Sequence, residues 1–125
     1  MLMEIVFPGD DRVEAVADGR VIATDQHGAA PSPFELFLAS IGTCAGIYVA
    51  RFCHRRGLPT DQLRIRQRMT MDPATRMIER VELEFDLPDD FPDKYRSAVV
   101  RAAEQCAVKK HLARPPEIAI TIAEA

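Results

Sequence analysis

Cysteine is too sparse here to build a disulfide scaffold. The chain has three, an odd number, in 125 residues, and no Cys-x-x-Cys pair that would suggest structural zinc. Basic runs are short and the formal net charge is −3, so nothing points to nucleic acid as a partner. The start, Met1-Leu2-Met3-Glu4, lacks the basic region of a signal peptide and soon meets Pro8-Gly9, which predicts a cytoplasmic protein. The uncharged run Leu36–Ala50 is fifteen residues, short of the roughly 20 that cross a bilayer, so no membrane partner is expected. There is no internal repeat and no low-complexity tract. What is present, 47% hydrophobic and 28% charged residues, is the composition of an ordinary globular protein. We expect one domain over residues 1–125, long enough to bury roughly two-thirds of its unfolded surface.

The stretch Pro31–Arg56, PSPFELFLASIGTCAGIYVARFCHRR, organises the rest. Ser32 fits an N-cap, Pro33 the first helical position, and Ser32-x-x-Glu35 a capping box. The helix that follows is apolar on nearly every face, which predicts a central, buried element. It should stop near Gly57-Leu58-Pro59. In its middle Cys44 is flanked by Gly42, Thr43, Ala45 and Gly46, small residues that let a backbone or a substrate approach the sulfur.

Before this helix, residues 2–7, 12–17 and 21–24 read as strands, the latter two joined at Asp18-Gly19, giving a three-stranded antiparallel meander and then a loop over 25–32. After it, LRIRQRMTM (63–71) and RVELEFDL (80–87) alternate, with a turn at Asp72-Pro73-Ala74-Thr75. Paired, they set Arg64, Arg66 and Arg68 near Glu82, Glu84 and Asp86 on one face. The arginine row has an alternative use as a phosphate or acidic-ligand site, but the matching acids favour cross-strand pairing. A second helix begins near Asp93, with Tyr95, Ala98, Val99, Ala102 and Cys106 on one stripe. Ala107–Ala113 continues it or forms a short extra helix. Beyond Pro115-Pro116, Ile118, Ile120 and Ile122 predict a last strand. The order is βββ-α-ββ-α-β, an α+β class with two cysteine-bearing helices on antiparallel sheet.

Cys44 and Cys106 each lie on an inward stripe, so they can face each other. An accessible thiolate opens a peroxide O–O bond and becomes a sulfenic acid, which a neighbouring thiol condenses to a disulfide. Both residues equally suit simple core packing, the usual role of a free cysteine. Cys53 follows Cys44 by nine residues, about 900° of rotation, and should point the other way. His27, His54 and His111 are scattered. A Cys106–His111 pair finds no third ligand, so we expect no metal.

PSPFELFLASIGTCAGIYV resembles the signature of the OsmC/Ohr family (osmotically inducible protein C and organic hydroperoxide resistance proteins), and EQCAVKKHL resembles its second cysteine motif. The resemblance covers nearly the whole chain. It implies an OsmC-like fold in an intertwined homodimer, with sheets of both subunits wrapped around the cysteine-bearing helices. It further implies a peroxidase acting on organic hydroperoxides, with Cys44 peroxidatic, Cys106 resolving, an external thiol or dithiol as reductant, and no cofactor. In that family a glutamate follows the helix-start proline and positions an activating arginine. Here Phe34 holds that place and the acid is Glu35, with Arg12 and Arg20 the candidates for the arginine. The alternative within the family is a protein that binds a small apolar or sulfur-containing ligand in an interface cavity with unreactive thiols. A third reading is a stress-related interaction module whose cysteines are only core.

Overall fold

In the computed structural model, which describes residues 1–124, the long helix starts where its capping box places it. The Glu35 N–H donates to Ser32 Oγ at 3.2 Å, and the Ser32 N–H donates to Glu35 Oε1 at 3.4 Å. Helix α1 then runs Pro33–Arg55. It ends on Gly57 at φ +65°, where the Leu58 N–H reaches back to the Cys53 carbonyl at 2.9 Å, a Schellman-type stop. The chain divides into two compact units, Met1–Ser40 and the part from Ile41 onward.

The first unit holds strands β1 (Glu4–Gly9), β2 (Arg12–Ala17) and β3 (Arg20–Asp25), an antiparallel sheet in the order β1-β2-β3. Ala17 pairs with Arg20 around Asp18 (φ 50°) and Gly19 (φ 73°). Two positive φ angles in a two-residue loop match the right-handed twist of the strands, as the Asp-Gly signal predicts.

The second unit contains the strands β4 (Arg64–Met71) and β5 (Ile78–Asp86), which pair antiparallel. Their register sets Arg64 opposite Asp86, Arg66 opposite Glu84 and Arg68 opposite Glu82, as the alternation predicts. Arg66 binds Asp86 at 2.7 Å and Arg68 binds Glu84 at 3.3 Å, so the arginine row is spent largely on its own hairpin. The other face carries Ile65, Leu83 and Phe85 against a core of Ala45, Val49, Cys53, Phe91, Val99, Ala103 and Cys106.

Three expectations need correction. The second helix is not continuous to Cys106: a 3-10 turn (Asp93–Tyr95) leads into α2 (Arg96–Ala103), and a separate α3 spans Ala107–Ala113. Cys106 therefore sits in the link between two helices. Its backbone (φ −50°, ψ 121°) has left the helical region, so the stripe breaks before it. Next, residues 115–124 form no strand among the described residues, and Ile118, Ile120 and Ile122 are exposed. A strand needs a partner edge, and among the described residues this segment pairs with none. Lastly, α1 buries only Ala45, Val49 and Cys53, while Phe34, Phe37 and Ile47 stay exposed. Its 23 residues are also long and apolar enough, by length and composition alone, to cross a membrane, which the fifteen-residue count excluded. One stripe packs into the unit's core, and one chain covers no more than that.

Candidate active site

On α1 the residues Ala45, Val49 and Cys53 recur every four positions and form the buried stripe. Cys44, one residue earlier and so about 100° around the axis, comes to the edge of that stripe and is half-buried. Cys53 is fully buried in the core. Burial pushes its thiol pKa up, with the nearby Arg56 charge pulling weakly the other way.

Cys106 is placed by the α2–α3 link. The N–H groups of Glu104, Gln105 and Cys106 each reach three residues back, to the carbonyls of Arg101, Ala102 and Ala103, which closes α2 in a tight turn. Cys106 then caps α3: its sulfur accepts from the Lys109 N–H at 3.4 Å, while its carbonyl accepts from the Lys110 N–H at 3.1 Å. The side chain is 2% exposed, and its S–H also lies 3.9 Å from the Ile41 carbonyl of α1.

This arrangement brings the two sulfurs together as hydrogen-bonding neighbours. Cys44 titrates below an ordinary cysteine. The main cause is a hydrogen bond from the Val108 N–H, opposed by partial burial and reinforced by the Cys106 thiol and the Ala107 N–H. Cys106 moves the other way. Burial raises it first, the Lys109 N–H offsets part of that, and the neighbouring Cys44 raises it further. The pair thus has an accessible sulfur biased toward thiolate and a buried one biased toward thiol. Both are free thiols. Sequence reasoning missed the Ala107 and Val108 amides. Their only signal was the seven-residue helical run after Cys106, since cysteine is not a usual N-cap.

The remaining expected residues lie elsewhere in the chain. Glu35 closes the capping box, Arg12 opens β2 opposite Gly9 and Asp25, and Arg20 opens β3; all three belong to the first unit. His27 Nε2 meets Asp11 at 2.6 Å, and His111 Nδ1 lies 2.7 Å from the Ala107 carbonyl, to which it donates. Among the described residues no three His, Cys, Asp or Glu side chains converge as metal ligands.

Beside the cysteine pair an open groove of about 340 Å³ has Leu83, Phe85, Val100 and Cys106 among its walls, with Glu104 and Lys109 its charged members. Such a lining is of the kind that suits an apolar molecule.

The profile of a protein family described as OsmC-like protein matches residues 26–121. No curated protein matches the chain significantly. Solved structures share the fold. An Aquifex aeolicus protein described only as hypothetical superposes with TM-score 0.73 at 17% identity, over 91% of this chain and 87% of that one. A Psychrobacter arcticus protein, provisionally named for osmotic stress induction and detoxification response, gives 0.72 at 20% identity over 86% and 85%. An OsmC-like protein of Mycoplasma pneumoniae gives 0.68 at 13% identity over 89% and 85%.

Proposed function

Because the chain belongs to the family of OsmC-like proteins, we propose that it is a thiol peroxidase that reduces organic hydroperoxides through Cys44 and Cys106. The observation that carries this reading is the unequal pair: a half-exposed Cys44 drawn toward thiolate beside a buried Cys106 held as thiol. That division of labour is what a two-cysteine peroxidase needs.

The Cys44 thiolate attacks the outer peroxide oxygen. An S–O bond forms, the O–O bond breaks, and the alkoxide leaves as the alcohol after taking a proton. Cys44 is then a sulfenic acid. The Cys106 thiol gives up its proton and its sulfur attacks the Cys44 sulfur, so hydroxide leaves as water and a disulfide remains. Two electrons have passed from the two thiols to the peroxide. An external thiol or dithiol returns them, and no metal or organic cofactor enters. The Val108 and Ala107 amides serve in place of a cationic side chain as the groups that favour the thiolate. The apolar groove suits the organic part of the substrate.

The reading includes a homodimer in the cytoplasm. The uncovered Ile118, Ile120 and Ile122, together with the exposed apolar residues of α1, support a second copy that pairs with the tail and covers the helix.

The test is a thiol count on reduced protein before and after one equivalent of cumene hydroperoxide. Rapid loss of two thiols with a mapped Cys44–Cys106 disulfide, absent in Cys44→Ser, is the expected result. Loss at the rate of free cysteine overturns it. The groove would then favour the second reading, a protein that binds a small apolar or sulfur-containing ligand without chemistry.

A further inference from the structure

Helix α1 carries a second feature on the face of Cys44. Tyr48, Arg51 and Arg55 follow Cys44 by four, seven and eleven residues, which keeps them on one side of the helix. With Phe52, Arg56, Ala102, Gln105 and Lys110 they line a pocket of about 350 Å³. Four cations line it and no acid does. Gln105, immediately before Cys106, and Lys110 of α3, four residues after it, close the pocket from the other side.

Among the described residues no acid neutralises the cations of this pocket, whereas four arginines elsewhere are neutralised. Arg66, Arg68, Arg80 and Arg96 each hold a carboxylate. Among the described residues, Arg51, Arg55 and Lys110 make no ion pair within 4.0 Å. Arg56 is fixed by stacking: its guanidinium lies 3.7 Å from the Phe52 ring centre and donates to the Phe52 carbonyl at 3.1 Å. Arg51 and Arg55 are a like-charged i, i+4 pair, an arrangement that costs a helix a few tenths of a kcal/mol. The C-terminal dipole of α1 compensates cations in its last turn, but not Arg51 a turn earlier nor Lys110 on another helix.

We propose that this pocket binds the carboxylate of an acidic organic ligand whose reactive end reaches Cys44. The proposal rests on Cys44 as the reacting thiol. Paired guanidinium forks suit a planar carboxylate. The Tyr48 and Phe52 rings and Ala102 suit a carbon skeleton, which a bare inorganic ion would not use. At 1.5 Å rise per residue Arg51 lies about 10 Å along the axis from Cys44. Its guanidinium carbon sits 5.7 Å from the Tyr48 ring centre, leaning back toward Cys44. An organic acid of modest length spans that gap.

The test uses reduced full-length protein and two disulfide reagents, the dianionic 5,5′-dithiobis(2-nitrobenzoate) and the neutral 4,4′-dithiodipyridine. Peptide mapping confirms Cys44 as the modified site, and the rate ratio is compared with that of a free-cysteine peptide. The expected result is a roughly tenfold preference for the anionic reagent, weakened by high salt. Arg51→Gln with Arg55→Gln should remove most of that preference while leaving the neutral reagent's rate within about twofold, which also reports an intact fold. A ratio equal to the peptide's, or one unmoved by the double variant, overturns the proposal. Calorimetric titration with octanoate is the second readout: binding lost in the double variant supports the site, and no binding overturns it. Inorganic phosphate competing better than octanoate overturns the ligand class. None of these steps uses a peroxide. If hydroperoxides leave Cys44 untouched while the charge preference holds, the peroxidase reading fails and the pocket stands.

Discussion

The Cys106 thiol lies against the Cys44 sulfur, and the two groups depart from ordinary cysteine in opposite directions. Hydrogen bonds from the start of α3 pull Cys44 down, and burial pushes Cys106 up. Thiolate is the reactive form, so alkylation of Cys44 by iodoacetamide should rise with pH around a midpoint below the ordinary value of about 8.5. Cys106→Ala deletes one donor and should move that midpoint upward, with slower alkylation at neutral pH. Cys106→Ser keeps a donor and should move it less. A midpoint unaffected by either substitution contradicts the hydrogen-bond account.

Cys53 is a packing residue. Cys53→Ala should cost about 1–2 kcal/mol of stability in denaturant unfolding, the price of a small cavity. Its buried thiol has a raised pKa, so its contribution is full below the unfolded value of about 8.5 and fades as pH rises through the higher folded value. Cys53→Ala should therefore lose less stability between neutral and alkaline pH than the parent. Peroxide-driven thiol loss at Cys44 should not change.

Two glycines of α1 should respond differently to alanine. A Cβ at Gly46 meets nothing within 4 Å, so Gly46→Ala should gain about 0.5–1 kcal/mol from helix propensity alone. A Cβ at Gly42 runs into the side-chain amide of Gln67 on β4, so Gly42→Ala gains only if that amide swings aside. Paired thermal melts of the two variants separate the effects.

Arg66 reaches both Glu84 and Asp86, at 3.7 Å and 2.7 Å, from a half-exposed position. Solvent screening keeps such pairs small, so Arg66→Ala should cost under about 1 kcal/mol, with the difference shrinking at high salt. Cys44 alkylation kinetics should be unchanged, because the pair stiffens the hairpin on the face away from the core.

Legibility in the sequence followed how local the controlling physics is. The Ser32–Glu35 box, the Asp18-Gly19 turn and the β4–β5 register were readable because each is fixed by residues a few positions apart or by strict alternation. The Cys44–Cys106 approach was readable as a coincidence of inward stripes, but not its means. The stripe through Ala102 runs in phase to Cys106, and nothing in residue type marks Glu104-Gln105 as the place where α2 closes. The amides of Ala107 and Val108 that favour the Cys44 thiolate were hidden for the same reason, since backbone donors follow from chain path and not from side-chain identity. The isoleucines at 118, 120 and 122 have strand periodicity, but periodicity does not supply an edge to pair with.

The central claim, that Cys44 takes the peroxide oxygen and Cys106 resolves it, is tested most directly by trapping the intermediate. Reduced Cys106→Ser protein is mixed with one equivalent of cumene hydroperoxide and dimedone, and the adduct is located by peptide mass spectrometry. The account predicts a dimedone adduct on Cys44, none on Cys53, and none on Cys44 in the parent, where Cys106 closes the disulfide first. No adduct at Cys44, or equal labelling of Cys44 in parent and variant, contradicts it.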